Sequence, residues 1–223
     1  MGDRGPAGRS RIVIVAGTGT EVGKTYVTAR LAAALRARGL RVVARKPVQS
    51  FAAGDDAPTD ADVLAGATGE DPLVVCPPHR RYPRAMAPPM AAEALGRPAF
   101  TIADLAAEIT TTAPADALTL VESAGGVRSP LAADGDTVAL VEVLRPALIV
   151  LVADAGLGTI NAVHLSIDAL PGHRVVVFLN RFDRRDDLHR RNRDWLATRA
   201  GLEVVNDPEA LERVVAAVVA ISD

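Results

Sequence analysis

An α/β fold, with a mostly parallel, doubly wound sheet flanked by helices, is predicted by three features of this 223-residue chain. Short β-branched runs alternate with longer Ala/Leu-periodic segments. The runs are apolar at nearly every position, the pattern of strands buried on both faces of a parallel sheet. The length suits one α/β domain. In chain order, Ile12-Val13-Ile14-Val15 marks a strand over 11–16, and the Ala/Leu-rich segment after it a helix over 23–38. Five more strands are predicted over 40–45, 117–121, 147–152, 174–179 and 202–205. The helices between and after them are predicted over 60–67, 101–112, 137–144, 159–169, 187–199 and 208–220. The Pro-rich stretch 76–89 interrupts this alternation and reads as a long loop. Residues 1–10 are rich in Gly and Arg and read as a flexible tail, leaving 11–223 as the domain.

Composition narrows the function. Lys and Arg total 25 and Asp and Glu 27, a net charge of −2, so neither nucleic acid nor an acidic membrane is an expected partner. The single cysteine, Cys76, rules out an internal disulfide and suits a reducing compartment. No stretch reads as a signal peptide or a membrane span, and a cytoplasmic location is expected.

In such sheets ligands bind beyond the carboxyl ends of the strands. After the first strand comes Gly17-Thr18-Gly19-Thr20-Glu21-Val22-Gly23-Lys24-Thr25, opening a helix. Backbone N–H groups there can cradle polyphosphate, Lys24 adds a point charge, and the Thr25 hydroxyl suits Mg²⁺. The pattern is a variant P-loop, with Thr18 where Gly or Ala is usual and Gly17 one residue earlier. A P-loop NTPase fold follows. After the second strand, Lys46 in Lys46-Pro47-Val48-Gln49-Ser50 could face the same phosphates or cap the strand at the surface. Asp55, Asp56, Asp60 and Asp62 follow; one could hold a metal, or all could serve a helix start. Glu122-Ser123-Ala124-Gly125-Gly126 follows the third strand, an acid beside small residues that suits a metal near phosphate. After the fourth, Asp154 to Asn161 opens a helix whose free N–H groups and Thr159 could hold a carboxylate or simply form a cap. After the fifth, Asn180-Arg181-Phe182-Asp183 could read a base, and is close to the guanine-reading Asn-Lys-x-Asp.

Taken in order and spacing, GTGTEVGKT, KPVQS, VESAGG and LGTIN resemble the dethiobiotin synthetase family over roughly residues 12–180, and the 87–93 segment resembles that family's substrate side. The resemblance implies an ATP- and Mg²⁺-dependent enzyme acting on diaminopelargonate and CO₂, through a carbamate and a carbamic–phosphoric mixed anhydride. It implies that Gly19, Thr20, Glu21, Val22, Gly23, Lys24 and Thr25 bind nucleotide phosphates and that Asn180 reads the base. Thr25, Asp60 and Glu122 would hold the metal. Lys24, Lys46 and Thr25 would be the catalytic groups. Lys46, Ser50, Gly158, Thr159, Ile160 and Asn161 would bind substrate, the last four across the interface of a homodimer. His189-Arg190-Arg191-Asn192 resembles a late helix near the substrate tail.

The chain departs from that family at Gly19 and Arg181, where acids occur, and at Ser123, where glycine is frequent. The family's proline-containing base loop is hard to place around 204–208. A partition-type ATPase switch is the first rival, but its signature lysine would occupy position 19, which is glycine. A GTP-using maturation factor gains from 180–183, but such proteins usually carry His or Cys delivery clusters, and this chain has none. An amidoligase would need a glutaminase domain for which there is no room.

Overall fold

The computed structural model describes residues 11–54 and 56–220; the expected 1–10 tail and Asp55 lie outside them. The chain runs through β1 (Ile12–Gly17), α1 (Lys24–Ala37), β2 (Val42–Arg45), β3 (Gln49–Ser50), α2 (Asp60–Thr68) and α3 (Pro72–Val75). A 3₁₀ turn (Pro78–Arg80) leads to β4 (Arg81–Tyr82), α4 (Pro88–Ala94) and α5 (Ile102–Thr112). Then come β5 (Leu118–Glu122), β6 (Pro130–Ala132), β7 (Gly135–Asp136), α6 (Thr137–Leu144), β8 (Leu148–Asp154), α7 (Thr159–Asp168) and β9 (Val175–Asn180). The last elements are α8 (Asp187–Asp194), a π-helical turn (Trp195–Arg199), β10 (Val204–Val205) and α9 (Pro208–Ala220).

All six expected strands form one parallel sheet, ordered β10-β9-β8-β1-β5-β2. The chain leaves β1 for the β2 edge, returns to β5 beside β1, then crosses to β8 on β1's other side. The carboxyl end of β1 is therefore where strand order reverses, the place where open α/β sheets bind ligands.

Strand alternation divides the core. Ile14, Ala16, Ile149, Leu151, Val177 and Leu179 face one layer, against α4, α5, α6 and α7. Val13, Val15, Leu148, Val150, Val152 and Val176 face the other, against α1 and α9. Side chains on both faces are buried, which explains the unbroken apolar runs. A third cluster, Ala44, Ala61, Leu64, Ala65, Val75 and Cys76, packs α2 and α3 over the β2 edge. There Glu70 accepts from the Ala44 N–H at 2.8 Å and pairs with buried Arg45 at 2.7 Å, so a side chain occupies a hydrogen-bonding position on the edge strand.

Two expectations need correction. The 76–89 stretch is no plain loop: it holds the 3₁₀ turn, β4, which pairs with β3, and the first turn of α4. The helix expected over 187–199 stays α-helical only to Asp194, then widens into the π-helical turn.

Leu151 has no exposed surface and lies in the strand next to β1. Leu151→Ala is expected to lower unfolding free energy by about 2–5 kcal/mol, seen as a lower urea midpoint with an unchanged slope.

Candidate active site

The 17–25 loop is shaped by close contacts. A Cβ on Gly17 would lie 2.9 Å from both Lys24 Cδ and Val22 Cγ2, so Gly17 supplies the small residue that Thr18 cannot. The Thr18 N–H donates to Val152 O at 3.0 Å, anchoring the loop to β8. Glu21 and Gly23 both adopt positive φ, 60° and 92°. Helix α1 begins with no side-chain cap and no acid in its first turn, whereas Asp71, Thr101, Asp136 and Asp186 cap α3, α5, α6 and α8. Its free N–H groups and the positive end of its dipole make an anion receptor. Lys24 bends back to donate to Gly19 O at 2.8 Å. Burial, and then the charge of Lys46, lower its pKa to about 8.

Beside the loop lies a buried polar cluster. Lys46 is 2% exposed, and its Nζ lies 2.7 Å from Glu122 Oε1, 2.7 Å from Asp60 Oδ2 and 3.2 Å from Ser123 O. Burial works against its charge, but Glu122 and Asp60 outweigh it and hold the ammonium protonated. Burial likewise raises the Asp60 pKa, and Lys46 outweighs that, leaving a net lowering. Thr25 Oγ1 lies 2.8 Å from both Asp60 Oδ1 and Glu122 Oε1. Glu122 Oε2 is buried without a hydrogen-bond partner. Two carboxylates, one of them with an orphaned oxygen, and a hydroxyl form a hard, all-oxygen donor set of the kind Mg²⁺ takes while keeping some of its waters.

Of the described acids in the 55–62 group, Asp60 joins this cluster. Asp62 turns back to accept from the Thr59 N–H at 2.8 Å and pairs with Arg81. Asp60, the first residue of α2, faces Lys46. Gln49, also 2% exposed, accepts from the Ala61 N–H at 3.0 Å and so fixes the start of α2. Gln49 lay within the quoted KPVQS segment with no role attached.

These groups line a cavity of about 840 Å³ that includes Thr20, Glu21, Gly23, Lys24, Thr25, Lys46, Ser50, Asp60 and Glu122. Its far wall is Ala85 to Pro88, and Ser50 Oγ donates to Met86 O at 2.7 Å. Gly126 packs against the 17–25 loop: a Cβ there would meet Thr18 O at 3.2 Å. Cys76 is no candidate nucleophile, because burial pushes its thiol up to about 12.

A second cleft of about 530 Å³ continues along α1, lined by Gly23, Tyr26, Asn180, Arg181, Phe182, Asn206 and Pro208 among others. Asn180 Nδ2 donates to Val22 O at 2.9 Å. Asn206 and Pro208, from the stretch around which the family's base loop is hard to place, line this cleft. Asp183 lies outside the lining of the cleft, and its carboxylate accepts from the Arg185 N–H at 2.8 Å.

The 158–161 turn lies apart from the cavity lining. Thr159 is buried with its hydroxyl unpartnered, while Gly158 and Asn161 are exposed and Ile160 is partly buried. Buried Asn192 donates to Ala155 O and Gly156 O, both at 2.9 Å, and so fixes the approach to this turn.

Gly23→Ala is expected to abolish measurable ADP binding by a folded protein. Its Cβ would lie 2.0 Å from Asn180 Nδ2, in a backbone conformation that L residues rarely adopt. Calorimetric titration, with a circular-dichroism melt for folding, checks this.

Residues 11–214 match a family model described as an AAA domain. The chain is 41% identical over 163 residues to the ATP-dependent dethiobiotin synthetase BioD of Corynebacterium efficiens, covering 71% of this chain and 69% of that protein. It is 37% identical over 198 residues to the enzyme of the same name from Mycobacteroides abscessus, covering 86% and 84%. Chloroplast FtsY from Physcomitrella patens shares the fold alone, with a TM-score of 0.55 at 12% identity over 96% of this chain and 67% of that one. A P-loop sheet with this polar cluster at its switch point, and relatives that match it over most of their own length, place the chain in the ATP-dependent dethiobiotin synthetase family.

Proposed function

We propose that this enzyme carboxylates 7,8-diaminopelargonic acid with CO₂ and closes the ring of dethiobiotin, converting ATP to ADP and phosphate. One amine adds to CO₂ and loses a proton, giving a carbamate. A carbamate oxygen displaces ADP from the γ-phosphorus, giving a carbamic–phosphoric mixed anhydride. The second amine attacks the carbonyl carbon, the C–O bond breaks, and phosphate leaves.

The observation that carries this reading is the Lys46 ammonium. It stays charged between Glu122 and Asp60, beside the phosphate loop and opposite the Ala85–Pro88 wall. A fixed cation there opposes the negative charge of a carbamate and of the γ-phosphoryl group as they meet. Lys24 leaves Gly19 O to pair with phosphate, and the free N–H groups of α1 hold the rest. The chemistry then rests on positioning and charge neutralisation. Thr25, Asp60 and Glu122 would hold Mg²⁺, consistent with the orphaned Glu122 oxygen. When bound, Mg²⁺ neutralises charge on the β- and γ-phosphate oxygens.

Ser50 lies where it can orient the substrate. The 158–161 turn does not line its own chain's cavity; in a homodimer its exposed Gly158 and Asn161 would meet the partner's cavity, against the substrate carboxylate. Among the described residues no helix is long and apolar enough to cross a membrane.

Mass-spectrometric detection of dethiobiotin from diaminopelargonate, bicarbonate and Mg²⁺ tests the reading, run in parallel with ATP, CTP and GTP. Product that requires a nucleotide is expected, with ATP and CTP ahead of GTP. With Asn180 Nδ2 committed to Val22 O, its Oδ1 is left to accept from the amino group of adenine or cytosine. No product from folded protein that still binds ADP would overturn it.

A further inference from the structure

Among the described residues only three non-glycine residues have positive φ: Glu21, Arg145 and Arg181. Such positions cost free energy and persist where the surroundings impose them. Two of the three are the ends of one hydrogen bond. Arg181 NH2 donates to Glu21 O at 2.8 Å, across 160 positions of sequence. The other end of the same guanidinium, NH1, lies 2.8 Å from Asp154 Oδ2. Asp154 is the last residue of β8, and its Oδ1 accepts from the Gly156 N–H at 2.9 Å. Arg181 also lines both the phosphate cavity and the second cleft, at their junction.

We propose that Arg181 is a positioning residue for the nucleotide: its guanidinium fixes the Glu21 peptide of the phosphate loop against Asp154, holding the loop in its ligand-ready turn. The left-handed backbone at Arg181 turns its side chain back across the end of β9 toward the loop. The left-handed backbone at Glu21 presents the carbonyl that receives it. Beyond the tied Glu21 carbonyl, Gly23, Lys24 and Thr25 line the cavity. In the unliganded chain the loop therefore does not have to be ordered by the nucleotide, and the entropy of ordering it does not weaken binding. The role needs a planar cation with two separated donors, which lysine does not supply.

This inference rests on the 17–25 loop being the nucleotide site. The test is calorimetric titration of Mg²⁺-ADP into wild type, Arg181→Met, Arg181→Lys, Arg181→Gly and Asp154→Asn, each with a thermal melt. Arg181→Met is expected to weaken ADP binding roughly three- to tenfold, the scale of a charge-assisted hydrogen bond at a half-exposed site. Arg181→Lys should show nearly the same loss, because one ammonium cannot reach both Glu21 O and Asp154. Arg181→Gly is the decisive variant. It relieves the left-handed backbone, so its melting temperature should hold or rise while ADP affinity falls as in Arg181→Met; a merely structural role would move the two together. Asp154→Asn should weaken binding less, and its effect should not add to that of Arg181→Met. Wild-type ADP affinity in Arg181→Met and Arg181→Gly, or losses that track lowered melting in every variant, would overturn the role of Arg181. A folded wild-type chain that binds no ADP would instead overturn the nucleotide site itself.

Discussion

The Lys46 ammonium can be buried only because Glu122 and Asp60 meet it, and each element around the site is held to that meeting point. A lysine taken out of water without partners gives up its charge, and breaking a buried pair costs about 3–5 kcal/mol. Here the end of β2 supplies Lys46, the end of β5 supplies Glu122, the first residue of α2 supplies Asp60, and the first turn of α1 adds Thr25. The Lys46 N–H also donates to Val75 O at 2.8 Å, which draws in α3. One polar contact thus sets where four elements converge, at the point where the sheet's strand order reverses.

The same cluster makes the site wait for an anion. Burial and the nearby Lys46 charge weaken the hold of Lys24 on its proton, and its ammonium donates to a loop carbonyl, Gly19 O. The N–H groups of α1 have no capping side chain. Polyphosphate would satisfy all of these at once. Catalysis by arranged charge, without a protein nucleophile, suits a cavity whose cysteine neighbour is buried and inert.

Much of this was legible in the sequence. The β1, β5, β8 and β9 runs are apolar because both their faces are covered, so their strand ends, and the residues there, could be read directly. Lys46 and Glu122 were placed as phosphate and metal candidates by position, though Lys46 alone could as well have been a surface cap. Asp60 was separable from Asp56 and Asp62 by family resemblance only: the Thr59–Asp62 capping box that takes up Asp62 is a local pattern, but Gln49 fixing Ala61 and Lys46 meeting Asp60 are contacts no local pattern encodes. The two-residue strands β3, β4 and β7 were missed because so short a strand exists only through its tertiary pairing. Arg181 read as an awkward departure from a family pattern; its bonds to Glu21 and Asp154 span 160 and 27 positions, beyond any local signal.

Whether the Lys46 ammonium acts on the reacting groups, and not merely in the fold, is the central question. Single-turnover formation of dethiobiotin by Lys46→Met, measured beside Mg²⁺-ADP affinity, answers it most directly. ADP lacks the γ-phosphate that Lys46 is placed to meet. The account predicts product formation slowed by about 100-fold or more, with ADP affinity within about threefold of wild type because α1 and the loop still hold the β-phosphate. Near-normal product formation by that variant would contradict it.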